Sequence, residues 1–116
     1  MTNRESDSLD NFGRFTEQAL LILVSLSGGA KHGYAIIDDI EALSGQRLGA
    51  GTLYGAIARL EARGLIAALA PSGRRRPYQL TGAGERALRT RLDVLATVTG
   101  AGQKRLRENL GATGPS

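Results

Sequence analysis

Glycine limits the length of every early element this chain can build. Sixteen glycines are spread over 116 residues. Several stand one position past a run of helical periodicity, where a left-handed cap favours a residue without Cβ. The run Ala19-Leu20-Leu21-Ile22-Leu23-Val24 is apolar all round and stops at Gly28-Gly29, the pattern of a buried helix. Thr16 is placed to cap it, with Glu17 at the positive end of its dipole. A second helix is expected to start near Lys31 to Gly33 and to end at Ser44-Gly45. Tyr34, Ile37, Ile40 and Leu43 or Ser44 fall on its inner face, with Ile36 beside them. A third helix, roughly Gly51 to Arg63, turns Leu53, Ala56, Ile57 and Leu60 inward at i, i+3, i+4 and i+7 and stops at Gly64.

The pattern then changes period. Leu65 to Leu69 reads as a strand, Pro71-Ser72-Gly73 as a turn, and Arg74 to Leu80 as the returning strand. Pro77 suits an edge strand better than a central one. Thr81 is a cap for a fourth helix with Glu85 in its first turn. Leu88, Leu92 and Leu95, spaced 4 and 3, begin a heptad-like seam. Its continuation reaches Thr99, Gly102 and Leu106, and a break is expected near Gly100 and Gly102. The order of elements predicts a mostly α protein with a small β-hairpin (α+β): a winged helix-turn-helix followed by a long C-terminal dimerisation helix. The expected boundaries are an N-terminal arm at 1–15, the winged domain at 16–81, the dimerisation helix at 82–110 and a frayed tail at 111–116.

Charge is distributed unevenly. The formal net charge is +4, yet residues 1–62 carry a net of −3 and residues 63–91 a net of +6, with seven arginines against Glu85. A basic segment of this kind favours a polyanionic partner. On the outer side of the third helix, Thr52, Gly55, Arg59 and Arg63 fall together, with Gly51, Tyr54 and Ala58 beside them. A helix with small outer residues fits a major groove, and Arg59 has the paired donors that read guanine. The other reading of Arg59 is an exposed residue paired with a nearby acid. Tyr54 can pack its ring on the second helix, offer its hydroxyl to a phosphate, or do both. Arg74, Arg75 and Arg76 at the hairpin tip suit phosphate binding; alternatively they protect an edge from strand addition.

Other classes find little support. The chain has one histidine and no cysteine, so it offers neither a thiolate metal site nor a His-based catalytic pair. His32 opens a helix, where it serves as a cap or as a donor to a phosphate. Gly49-Ala50-Gly51 and Gly82-Ala83-Gly84 lack the lysine and spacing of a P-loop. No catalytic residue, metal or cofactor is expected. Met1 to Asp10 lacks the apolar core of a signal peptide. Ala19 to Leu26 is far shorter than the roughly 20 residues that cross a bilayer. A cytoplasmic protein without membrane association is expected.

His32-Gly33-Tyr34, Gly51-Thr52-Leu53-Tyr54, Arg59-Leu60-Glu61, Gly64-Leu65-Ile66, Tyr78-Gln79-Leu80-Thr81 and Gly84 occur in that order. Across residues 16–95 this resembles the PadR family of transcriptional regulators, in its compact subfamily with one dimerisation helix. The resemblance implies a winged-helix domain, a dimer held largely by the C-terminal helix, and repression relieved by a small-molecule effector. Two departures stand out. Gly55 occupies a position where many members have proline, and Ile66 to Ala70 lacks the aromatic residue often present on the first wing strand. The expected DNA-binding set is His32, Tyr34, Gly51, Thr52, Tyr54, Gly55, Arg59, Arg63, Arg74, Arg75 and Arg76. Phe12, Phe15, Leu88, Leu92, Leu95 and Val98 are the expected dimer contacts. A homodimer would then meet double-stranded DNA on a roughly palindromic site. The alternative is a winged helix used only for protein contacts, against which the basic hairpin argues.

Overall fold

A computed structural model of the chain describes residues 17–113, with side chains through Leu110. The arm at 1–15, the cap expected at Thr16, and the dimer contacts expected at Phe12 and Phe15 lie outside the described residues. Helix α1 covers residues 17–27. It is followed by strand β1 (Lys31–His32), helices α2 (Gly33–Ser44) and α3 (Ala50–Ala62), strands β2 (Ile66–Ala68) and β3 (Pro77–Leu80), and helix α4 (Gly82–Thr113).

The glycine stops act as their spacing suggests. Gly45 adopts φ 78° and its N–H donates to Glu41 O at 2.8 Å, which closes α2 with a left-handed cap. At the end of α3, Gly64 has φ 75° and donates to Glu61 O at 2.9 Å, while Leu65 N donates to Leu60 O at 3.0 Å. This pair of bonds is a Schellman motif, and it turns the chain from α3 directly into β2.

The second helix is rotated from the expected face. Gly33, Ile36, Ile37 and Ile40 are its buried residues, whereas Tyr34 and Leu43 are 62% and 53% exposed. The set beginning at Gly33 keeps i, i+3, i+4, i+7 spacing and brings three isoleucines inward. The core joins Ile22, Leu23 and Leu26 of α1 to these isoleucines, to Leu53, Ile57 and Leu60 of α3, and to Ile66, Tyr78 and Leu88.

The sheet has three strands rather than the two of a simple hairpin. Its order is β1-β3-β2, antiparallel throughout. Lys31 pairs with Tyr78 and His32 with Pro77, so β1 adds a strand where the second helix was expected to begin. A two-residue strand carries no readable alternation. Pro77 therefore lies in the central strand, not on an edge. It is tolerated because it is the strand's first residue, and its carbonyl still accepts from Leu69 N at 2.8 Å. The returning strand starts at Pro77, three residues later than expected, because Ser72 and Arg75 close a tight turn through paired backbone bonds of 2.7 and 3.1 Å. Gly73, at φ 64°, supplies the positive angle that turn requires.

Helix α4 is continuous for 32 residues through Gly100 and Gly102 and runs to Thr113, so the expected break does not occur. Interior glycine costs roughly 1 kcal/mol in a helix and does not by itself stop one. Its start is fastened to the α3–β2 turn. Thr81 Oγ1 accepts from Gly84 N at 3.0 Å and donates to Gly64 O at 2.6 Å, and Thr81 N donates to Leu65 O at 3.1 Å. Gly84 lies against the same peptide; a Cβ there would fall 2.9 Å from the Leu65 carbonyl carbon and closer still to its oxygen. Gly84→Ala should lower stability by about 2–4 kcal/mol in urea denaturation, since backbone must move to admit the methyl group. Gly100→Ala, with open space around the site, should raise it by up to about 1 kcal/mol.

Candidate nucleic-acid interface

The candidate surface is built where α2, α3 and the β2–β3 wing meet. Helix α3 buries Leu53, Ala56, Ile57 and Leu60, and this fixes which side is left outward. Gly51, Thr52, Ala58, Arg59 and Arg63 are exposed, and Gly55 is partly so with nothing within 4 Å of a built Cβ. Arg59 and Arg63 each also take part in an interaction within the protein. The outer side of α3 is thus low in relief near its start and cationic near its end.

Of the two readings of Tyr54, the packing on α2 is present in the structure. Its ring lies directly on Gly33, where a Cβ would fall 2.7 Å from Tyr54 Cζ, yet the residue is 43% exposed. It packs on α2 and still presents a surface to solvent. Gly33 is therefore required by a side chain from another helix. Nothing in its own neighbourhood of the sequence reveals this.

His32 is the N-cap of α2 and sits between that helix and the wing. Its Nδ1 accepts from Ala35 N at 3.4 Å, and Arg75 Nη1 lies 3.4 Å from its Nε2. The contacts run in sequence from Arg75 through His32 and Gly33 to Tyr54. They join the wing, the start of α2 and the start of α3 into one surface. Tyr34 is exposed in the first turn of α2. Arg74, Arg75 and Arg76 are all exposed around the wing tip. Every member of the expected DNA-binding set is thus at least partly exposed.

Two supports of this surface escaped the sequence pattern. Arg47, in the α2–α3 connection, reaches Asp38 Oδ1 at 2.9 Å and Glu41 Oε1 at 2.8 Å. These hydrogen bonds, to Asp38 first and then Glu41, hold the guanidinium above its ordinary range. The pairs are exposed and contribute little stability; they link the α2–α3 connection to the outer side of α2. Tyr78, in the central strand, is buried beneath α3. Burial, then Glu61 and Tyr54, push its hydroxyl above the ordinary tyrosine value against the opposing effect of Arg76. It therefore stays neutral through the physiological range. Among the described residues no group of three or more His, Cys, Asp or Glu is placed to hold a metal, and no helix is long and apolar enough to cross a membrane.

Three helices, a basic wing and a three-stranded sheet in this order define a winged helix-turn-helix protein. The chain belongs to the transcriptional regulator PadR-like family, which it matches over residues 22–90. Among solved structures, it is similar to a PadR family transcription regulator of Clostridium difficile, with TM-score 0.69 and 24% identity, over 77% of this chain and 97% of that one. It is also similar to a PadR family transcriptional regulator of Eggerthella lenta, with TM-score 0.60 and 28% identity, over 90% and 96% of the two chains. A curated relative, an uncharacterized 37.1 kDa protein in transposon TN4556 of Streptomyces fradiae, is 46% identical over 87 residues. That alignment covers 75% of this chain but 25% of the relative, so the chain spans about a quarter of that protein's length.

Gly33→Ala should displace the Tyr54 ring and cost about 1–3 kcal/mol. In a double-mutant cycle with Tyr54→Ala, much of that cost should vanish. Additive losses in chemical denaturation would show that the two residues do not meet.

Proposed function

We propose that the chain is a homodimeric, sequence-specific binder of double-stranded DNA that regulates transcription, acting as a cytoplasmic repressor. The observation that carries this reading is the continuous surface from the wing through Arg75, His32 and Gly33 to Tyr54 on α3. In this reading α3 enters the major groove. Thr52, Arg59 and Arg63 approach base edges or the adjacent backbone, and Gly51 and Gly55 permit close approach. Arg74 to Arg76 hold phosphates without reading sequence. The arginines around the tip also suit this role better than a surface used only for protein contacts.

Dimerisation is assigned to the outer part of α4, with a shift in its starting point. Leu88 is only 5% exposed and belongs to the protomer's own core, so it is not available to a partner. Leu92 and Val98 are exposed, Leu95 is half-buried, and Leu106 and Leu110 are 65% and 71% exposed. Leu92, Thr99 and Leu106 repeat every seven residues on the helix beyond the winged body, and Leu95 and Gly102 repeat beside them. A second copy covering this stripe would space two α3 helices about one DNA turn apart on a roughly palindromic site.

A small-molecule effector, if it modulates binding, is assigned to an open cleft of about 470 Å³ between α1, β3 and α4. Leu26, Leu80, Leu88 and Leu92 form its apolar lining, and the Glu85–Arg89 ion pair lies at its edge. A ligand there touches the root of α4 and biases its angle by differential affinity for the two arrangements. The lining holds no aromatic ring, so recognition by stacking is not expected.

Binding to a duplex selected from a random pool should weaken by orders of magnitude between ~50 and ~200 mM salt. Replacing Arg74, Arg75 and Arg76 together by Ala should flatten that dependence while leaving sequence preference intact; Arg59→Ala should relax base choice. Absence of binding to any duplex at low salt would overturn the reading. By light scattering, the wild type should be dimeric and Leu106→Asp should shift it toward monomer. Leu88→Ala should instead lower stability by about 2–5 kcal/mol.

A further inference from the structure

His32 is approached by more donors than it can serve. The Ala35 N–H points at Nδ1 and the Arg75 guanidinium at Nε2, each at 3.4 Å. A neutral imidazole has one acceptor nitrogen and one N–H. With the proton on Nε2, Nδ1 caps α2 but Nε2–H faces another donor. With the proton on Nδ1, Arg75 gains an acceptor and the cap is lost. Neither tautomer satisfies both contacts, and protonation of the ring removes both acceptors. The other groups around the ring do not relieve this. Across the ladder stands Pro77, which is not titratable. Lys31, on the same strand, is engaged with Ser25 O and, at 3.9 Å, with Asp39. Tyr54 of α3 approaches through Gly33.

A single acceptor placed against both Nε2 and Arg75 would serve the two donors together. We propose that His32 and Arg75 form a two-donor clamp for one phosphodiester oxygen of the DNA backbone, and that the bound phosphate locks His32 as its Nε2–H tautomer. The oxygen takes one hydrogen bond from Nε2–H and a charge-assisted one from the guanidinium. Nδ1 is then committed to Ala35 N–H, and each donor that faces the ring, or that the ring carries, has an acceptor. The clamp couples the wing to the cap of α2: the contact that holds the phosphate also completes the helix start on which Tyr54 rests. This inference rests on the DNA-binding reading. It adds that one phosphate is shared by two elements and that His32 is part of the grip.

His32 is the sole histidine in the chain, so its imidazole nitrogens give a single set of NMR signals. With ¹⁵N-histidine-labelled protein at pH 8, the free protein should show mixed tautomers. Addition of a duplex selected from a random pool should shift the ring to the Nε2–H form. His32→Asn keeps a capping acceptor but loses the clamp donor, and Arg75→Ala loses the other. Each should weaken duplex binding by about ten- to a hundredfold, the worth of a hydrogen bond to a charged group. The double variant should fall well short of the product of the two losses, because both act on one phosphate. Circular dichroism confirms that the variants fold. A tautomer ratio unmoved by DNA, or losses that multiply, would overturn the clamp while leaving DNA binding intact. Failure of the wild type to bind any duplex at ~50 mM salt would overturn the DNA-binding reading and the clamp with it.

Discussion

Four segments of the chain meet at the Gly64-Leu65 turn. Leu65 N closes α3, the chain leaves as β2, Thr81 donates to both carbonyls of the turn, and Gly84 of α4 lies flat against it. The left-handed Gly64 makes this possible, because it exposes two carbonyls at once to the chain returning from β3. The orientation of the wing relative to α3 depends on this node, and so does the direction in which α4 leaves the body. Its polar groups are mutually satisfied, so the turn can lie against the core without a desolvation penalty.

From that node the molecule divides its work. The body buries one compact core shared by α1, α2, α3, the sheet and the first turns of α4. The remainder of α4 extends beyond it, giving an outline of 62 × 40 × 26 Å. A 32-residue helix is roughly 48 Å long, and its outer half keeps Val98, Leu106 and Leu110 exposed. Isolated helices gain little from propensity alone, and this exposed apolar surface is the one that the proposed homodimer would cover. The partition at Leu88 matters here. One leucine of the apparent seam, Leu88, holds the helix to its own protomer, while Leu92 beyond it is exposed and Leu95 half-buried.

The charged surface shows the same economy. The arginines of the wing are exposed at and just after its tight turn, and Arg75 approaches His32 at the start of α2. Arg47 of the α2–α3 connection pairs with Asp38 and Glu41, which takes up part of the acidic charge of α2.

Much of the architecture is written locally. Helical periodicity and glycine stops locate three helices, and Thr81 marks the start of the fourth, because capping and apolar spacing act over three or four residues. The arginine run and the outer side of α3 are legible for the same reason. What the tertiary structure decided lies between distant segments. The strand at Lys31–His32 exists because β3 pairs with it, which makes β3 central and Pro77 a central-strand residue. Gly33 is glycine because Tyr54 lies on it from 21 positions away. Leu88 belongs to the core, although its spacing assigns it equally well to the seam. The glycine punctuation alone determined how long the first helices run. Only packing could decide which faces meet, since residues three or four apart share a face wherever that face turns.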